Sequence, residues 1–315
     1  MPNANDMRWF KQQFHGQINA ALQDTPYNLD FMTALACQET GEIWPILRKT
    51  NLSVDRILEL CVGDTLDSDR GRRAFPRNKA DLLSVPNGQR MFDIARQGLV
   101  DMAEHIPSYR GAASNPNKFC HGFGIFQFDL QFFREVDPDY FLEKRYADFD
   151  ACLGKALGEL RHSITKVPNV QGKPKLTDQE MAFVAIAYNT GGFNPAKGLD
   201  QGFQPPGGKH YGRQIFDFIE QSKTVPVDDA APSPSASVDS PGPRFEVTST
   251  DPLRLRSDPS KDENNPNSNV TARLPNGQIV RAITNEQVNG FLEVETDIEG
   301  RHLRGFVSAQ FLKPV

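Results

Sequence analysis

The sequence predicts a multidomain chain: a mainly α-helical N-terminal domain over residues 1–223, a linker over 224–243 and a small all-β barrel over 244–315. Three observations predict this. Apolar residues recur at helical spacing through the first two thirds of the chain, and beyond residue 244 the pattern changes to short alternating runs broken by turn pairs. Between them lies TVPVDDAAPSPSASVDSPGP, from Thr224 to Pro243, too poor in large apolar side chains to offset its ordering entropy and rich enough in proline to stay semi-extended. The length of 315 residues agrees, since a single domain usually takes roughly 100–200.

In chain order, Asn28 is placed to cap a helix on which Phe31, Leu35, Gln38 and Glu39 occupy neighbouring positions of one face that ends at Gly41. Segments 63–80 and 106–121, rich in Gly, Pro, Arg and Asn, read as long loops. Phe92, Ala95, Leu99 and Met102 form one helical stripe, and Phe149, Cys152, Leu153, Ala156 and Leu160 another. Between these stripes lies Gly124-Ile125-Phe126-Gln127, and Asp129, two residues on, would share a face with Gln127 at strand spacing. Thr177-Asp178-Gln179-Glu180 is a capping box that opens a helix from Met181 to Asn189, closed by Gly191 and Gly192. Ile215, Phe218 and Ile219 mark a last amphipathic helix. Strands are expected at Val270–Leu274, Gln278–Ile283, Phe291–Thr296 and His302–Val307, separated by turns at Pro275-Asn276-Gly277, Asn289-Gly290 and Glu299-Gly300.

Composition excludes several classes. With 40 acidic against 35 basic residues, the net charge of -5 speaks against a nucleic-acid binder, which needs Lys and Arg to release phosphate counterions. No uncharged apolar stretch approaches the roughly 20 residues of a bilayer span, so membrane insertion is not expected. The N-terminus shows no basic segment followed by an apolar run, hence no general secretion signal. Four cysteines, Cys37, Cys61, Cys120 and Cys152, permit two disulfides in three connectivities. No CxxC pair or HExxH spacing occurs, so neither a metal nor another cofactor is expected.

Three short segments point to chemistry: Gln38-Glu39-Thr40-Gly41, Gly124-Ile125-Phe126-Gln127-Phe128-Asp129 and Ala187-Tyr188-Asn189-Thr190-Gly191-Gly192. In this order they resemble the Glu-(Ser/Thr), Gly-Leu-Met-Gln and Ala-Tyr-Asn-(Ala)-Gly signatures of the lysozyme-like superfamily, the goose-type lysozymes and soluble lytic transglycosylases. The likeness spans roughly Asn28 to Ser222 and departs from the pattern at Gly192-Phe193, where many transglycosylases have Pro-Gly. It implies peptidoglycan as partner and cleavage of the β-1,4 bond between N-acetylmuramic acid and N-acetylglucosamine. Arg244 to the end, with Leu274-Pro275-Asn276-Gly277-Gln278, Gly290-Phe291-Leu292-Glu293-Val294 and Gly305-Phe306-Val307-Ser308, resembles a bacterial SH3 domain, a module that commonly tethers wall enzymes and elsewhere serves protein interaction.

Glu39 matches the catalytic glutamate of that superfamily and Thr40 the hydroxyl residue beside it. An apolar wall and a helix C-terminus both disfavour a carboxylate, which suits a general acid that must be neutral at working pH. Glu42, three residues on, is a minor rival. Gln127 offers a donor and an acceptor to sugar hydroxyls or N-acetyl groups. Asp129 follows the goose-type arrangement in which an aspartate holds the attacking water, about 6.5–9.5 Å from the acid in an inverting enzyme; capping of a helix from Leu130 is the competing role. Tyr188 and Asn189 are expected to line the cleft, Asn189 with the alternative of a C-cap, and Tyr211 in Lys209-His210-Tyr211-Gly212-Arg213 is a looser match to a substrate-binding tyrosine.

The preferred expectation is a hydrolase, with a lytic transglycosylase as the first alternative. Cys120-His121 suggests a wall cysteine peptidase, although neighbours in sequence rarely form a dyad, and a degenerate domain that only binds glycan is a further reading. A wall-cleaving enzyme without a visible signal is expected to act in the periplasm or on the wall after a phage-type, injection or other non-classical exit, with a delivery or immunity protein as partner.

Overall fold

A computed structural model describes residues 1–50, 52–66, 72–227, 243–256, 259–261, 269–298 and 301–315. The chain divides into two compact units, Met1–Ser235 and Ala236–Val315. Most of the expected linker, residues 228–242, and the Glu299-Gly300 turn lie outside the described residues.

The first unit is mainly helical. It opens with α1 (Ala4–Ala21), whose N-cap Asn3 forms a capping box with Asp6. Met7, Phe10, Phe14 and Ile18 line its buried face. Next come α2 (Leu29–Thr40), α3 (Trp44–Leu47), α4 (Val54–Glu59) and the strand β1 (Val62–Leu66). After α5 (Lys79–Leu83) and α6 (Gly88–His105), a 3-10 turn and α7 (Arg110–Ala113) lead into β2 (Phe119–Phe123), a turn and β3 (Phe128–Asp129). α8 (Pro138–Leu142), α9 (Phe149–Ser163), α10 (Asp178–Thr190) and α11 (Tyr211–Lys223) complete it. The three strands make one antiparallel sheet in the order β1-β2-β3.

Several expectations hold. Asn28 caps α2 by accepting from the Phe31 amide at 2.9 Å. Thr177 and Glu180 form the capping box of α10, which ends at Gly191 in the left-handed region. Both stripes lie on the inner faces of α6 and α9.

Others are corrected. The two long loops are partly regular, because 62–66 pairs with 119–123 as a sheet and 107–113 is helical. Gly124–Gln127 is not a strand but the turn joining β2 to β3, with positive φ at Gly124 (78°) and Gln127 (53°). The sequence leaves the disulfide state open, and all four cysteines are buried and free.

The second unit is a seven-stranded antiparallel sheet in the order β10-β4-β7-β8-β9-β5-β6, built from β4 (Arg244–Val247), β5 (Leu253–Arg256), β6 (Val270–Leu274), β7 (Ile279–Val288), β8 (Phe291–Ile298), β9 (Arg301–Ser308) and β10 (Leu312–Pro314). The four expected strands are β6 to β9. β4, β5 and β10 were not anticipated, each being four residues or fewer. Val288 pairs with Phe291 across Asn289-Gly290, both at positive φ, the geometry of a two-residue type I′ hairpin. Val247, Leu255, Leu274, Val280, Val294 and Val307 fill the core of this unit. Among the described residues the edge strands β10 and β6 do not pair, so the sheet is open where a closed barrel was expected.

A polar contact at Lys11 ties α1, the start of α2 and the end of α11 together. The Lys11 ammonium donates to Asp30 Oδ1 (2.6 Å) and to the carbonyls of Ser222 and Val225 (2.7 Å each), and Ser222 Oγ donates to the same Asp30 oxygen. All three ammonium hydrogens are used, and the cation sits at the carbonyl end of α11. Replacing Lys11 by Met leaves a carboxylate and two carbonyls short of a donor, and is expected to cost about 3 kcal/mol, read as a lowered urea midpoint.

Candidate active site

The three motifs meet at the turn between β2 and β3. Thr40 Oγ donates to the Ile125 carbonyl at 2.7 Å, with a longer contact to Ala36 O at 3.3 Å. The Tyr188 hydroxyl donates to the Phe126 carbonyl at 2.6 Å. Gln127 Nε2 donates to Gly124 O (2.9 Å) and Cys61 O (3.3 Å), closing the turn on itself and on the residue before β1. Its side chain lies flat on Gly63 and Gly122, where a Cβ would stand 2.7 Å and 2.2 Å from Gln127 Oε1. Thr40, Gln127 and Tyr188, expected to contact substrate, thus spend these polar atoms on backbone carbonyls. A buried carbonyl left unpaired costs roughly 1–3 kcal/mol, which is the reason these residue types occur here.

The anchoring leaves Glu39 at the end of α2, part-buried. The Tyr211 hydroxyl donates to its Oε1 at 2.6 Å. Burial pushes the carboxyl up to about 8; the Tyr211 hydrogen bond acts against this, and the negative charge of Asp64 adds to it. Tyr211 is the first residue of α11 and reaches Glu39 because Gly202, at φ 84°, has no Cβ; one there would lie 2.6 Å from Tyr211 Cβ. Asn189 is exposed on α10, with its amide oxygen 3.6 Å from that same Cβ position. Gly191, not Asn189, is the C-cap.

Asp129 is placed differently from the expectation of a water holder. Its Oδ1 accepts from Arg72 Nη2 (2.8 Å) and the Gln131 amide (2.7 Å), and its Oδ2 from Arg72 Nη1 (2.6 Å) and His121 Nδ1 (2.9 Å). Four contacts occupy the lone pairs of both oxygens. The hydrogen bonds from His121 and Arg72 outweigh burial and hold the carboxyl at about 2, too acidic for a good proton acceptor near neutrality. The competing role, a cap for the 3-10 helix Leu130–Phe132, is the one adopted. Arg72 also donates to the Phe75 and Pro76 carbonyls, so the pair ties the 72–77 loop to the sheet.

A carboxylate that the sequence reasoning missed is Asp64. It is exposed on β1 in the left-handed region (φ 50°), and Glu39, Tyr109 and Cys120 all feel its charge. No signal short of the β1–β2 pairing brings it beside Glu39. Glu42 lies exposed beyond Gly41, in solvent rather than against the apolar wall. Cys120 is buried in β2 with its thiol pushed up by burial, and His121 points to the other face of the strand, so the adjacent pair supplies no thiolate and no dyad. No helix among the described residues is long and apolar enough to cross a membrane.

No protein family, curated protein or solved structure matches this chain.

Replacing Arg72 by Leu removes the pair to Asp129 and strands two loop carbonyls, with an expected loss of about 2 kcal/mol at pH 7. Because the folded-state value is depressed, the contribution is present above the ordinary 3.8 and disappears as pH falls toward about 2. Urea midpoints of wild type and Arg72→Leu should therefore converge as the buffer is taken from pH 7 to pH 3.

Proposed function

We propose that the first unit cleaves the β-1,4 glycosidic bond between N-acetylmuramic acid and N-acetylglucosamine of peptidoglycan, with Glu39 as general acid. The observation that carries this reading is the setting of Glu39: a part-buried carboxyl, protonated up to about pH 8, whose sole side-chain hydrogen-bond partner among the described residues is Tyr211. A neutral carboxyl at working pH is what protonation of a glycosidic oxygen requires. The co-occurrence of three motifs resembling the lysozyme-like superfamily supports it further.

In hydrolysis, Glu39 gives its proton to the leaving O4 as the bond from C1 breaks, and a water oxygen bonds to C1 while its proton passes to a base. With Asp129 saturated, Asp64 is the carboxylate free to take that proton: it is exposed, and no hydrogen-bond donor among the described residues engages it. The saturation of Asp129 also favours a second reading, a lytic transglycosylase, in which Glu39 protonates the leaving O4 as its bond to C1 breaks, the C6 hydroxyl oxygen of the muramoyl residue bonds to C1 to close an anhydro ring, and the hydroxyl proton passes to the Glu39 carboxylate so formed, so that no water-holding carboxylate is needed. The second unit, an open sheet with the hairpin pattern of a bacterial SH3 domain, would serve wall or partner binding.

Mass spectrometry of peptidoglycan digests separates the readings. Glu39→Gln should slow cleavage by about 10²–10⁴-fold. Reducing-end muropeptides that also vanish in Asp64→Asn establish the hydrolase with Asp64 as base; anhydro-muropeptides that persist in Asp64→Asn establish the lyase; cut peptide stems on intact glycan, or no cleavage by wild type, refute glycan cleavage altogether.

The pH profile gives an independent check. The alkaline limb of kcat/KM should lie near pH 8, where Glu39 loses its proton. Tyr211→Phe removes a hydrogen bond that favours the ionised carboxylate, so the limb should move to higher pH while the rate at the optimum falls. A limb that moves down would mean that Tyr211 does not act on Glu39 in this way.

A further inference from the structure

The outer face of the second unit carries a charge arrangement that the sheet does not balance. Phe245 and Val247 of β4, Val280 and Ala282 of β7 and Val294 of β8 pack into the core of this unit, so the residues that alternate with them lie on the outer face. The register sets Arg244 directly across from Arg281, Arg281 across from Glu295, and Glu295 across from Arg304. Arg304 is paired with Glu293 at 2.9 Å, whereas Arg281 reaches Glu295 only at 3.6 Å. Among the described residues Arg244 has no ion pair and no side-chain hydrogen bond; Val315 gives it one backbone bond, from its amide to the Arg244 carbonyl at 3.0 Å. Directly opposed residues place their Cβ atoms roughly 4.5–5.5 Å apart, and like charges in that position are destabilising. The sheet thus keeps two facing guanidiniums against its own stability.

We infer that Arg244 and Arg281 form a binding site for the free carboxyl end of a peptide. This gives a ligand chemistry to the binding role proposed for the second unit and rests on that role, not on cleavage by the first unit. Both arginines line one surface groove with Gln278, Ile279, Glu295 and Thr296. The polar floor of the groove is satisfied internally: Gln278 Nε2 donates to Thr296 Oγ1 and Thr296 Oγ1 donates to the Ile279 carbonyl, at 2.7 Å each. The guanidiniums are what remains for a ligand. Their planar forks match a carboxylate or a phosphate, and the surroundings choose between the two. Glu295, opposite Arg281, and Glu246, on the same face as Arg244 and two residues along, repel a second negative charge. That disfavours phosphate chains and suits a single carboxylate. Ile279 stands half-buried on the same face, two residues before Arg281, and offers apolar surface to the aliphatic side chain of a terminal residue.

The test titrates N-acetyl-alanyl-alanine and its C-terminal amide into the full chain, following the backbone amide shifts of Ile279, Arg281 and Glu295 by NMR, with sedimentation of the full chain on purified peptidoglycan in parallel. The free acid should bind about tenfold more tightly than the amide, and Arg244→Gln and Arg281→Gln should each raise Kd about tenfold. Arg244→Glu should abolish binding and raise the thermal midpoint, because it turns a like-charge pair into an opposite-charge one; a lost site is thereby separated from a lost fold. No binding of the acid, an amide bound as tightly as the acid, Arg244→Gln without effect, or a lowered midpoint in Arg244→Glu each overturns the site, and the proposed wall binding stands if wild type still sediments. Inorganic phosphate bound more tightly than the acid overturns the peptide as ligand. Wild type that neither binds the acid nor sediments overturns the site and wall binding together.

Discussion

The turn at Gly124–Gln127 is the constraint on which the site depends. A tight turn inside a packed unit directs carbonyls into the protein, where water cannot reach them, and each needs a donor from somewhere else in the chain. Here Thr40 of α2 answers Ile125, Tyr188 of α10 answers Phe126, and Gln127 answers Gly124. Each donor belongs to one of the three segments whose order and spacing first suggested a function. The motifs are thus mutually satisfying, and together they fix the end of α2 against the sheet. Glu39 precedes Thr40, so the anchor that orients the acid is the adjacent residue.

Two carboxyl groups in one unit are driven in opposite directions by their surroundings. Glu39 and Asp129 are both largely removed from water, which by itself raises both. Asp129 receives a guanidinium, an imidazole and an amide, enough to reverse the effect; Glu39 receives one neutral hydroxyl and the repulsion of Asp64, and stays high. The difference lies in the number and charge of the donors rather than in depth of burial. Such a divergence is what the proposed acid role of Glu39 would need: the proposed donor is short of hydrogen-bond donors, and the group that braces a loop is saturated with them.

How much of this was legible varied with the range of the interaction involved. Signals confined to a few residues read correctly: Asn28 with Phe31, Thr177 with Glu180, and Asn289-Gly290 between alternating strands are local hydrogen bonds or local dihedral preferences. α1 carries a signal of the same local kind, since Met7, Phe10, Phe14 and Ile18 repeat at helical spacing and Asn3 and Asp6 complete a box. The role of Asp129 could not be read, because its partner Arg72 stands 57 residues upstream in a segment with no motif. Gln127 and Tyr188 are expected from the motifs to face substrate, whereas their polar atoms bond backbone carbonyls, partners that a sequence cannot display. Tyr211 carried the loosest match and makes the most direct contact with the acid, since only the packing of α11 on α2 determines which tyrosine reaches Glu39.

That packing also decides how the helix ends act on the site. The C-terminus of α2 should by itself disfavour a carboxylate through its partial negative charge. But α11 runs antiparallel to α2. The C-terminal part of α11 meets the start of α2 at Ser222 and Asp30, and its first residue, Tyr211, meets the end of α2 at Glu39. The partial positive charge at the start of α11 therefore lies within a tyrosine side chain of the partial negative charge at the end of α2, and the two largely cancel over that short distance. Burial is then the principal force that raises Glu39. An acid tuned by burial rather than by a helix end is sensitive to water entry.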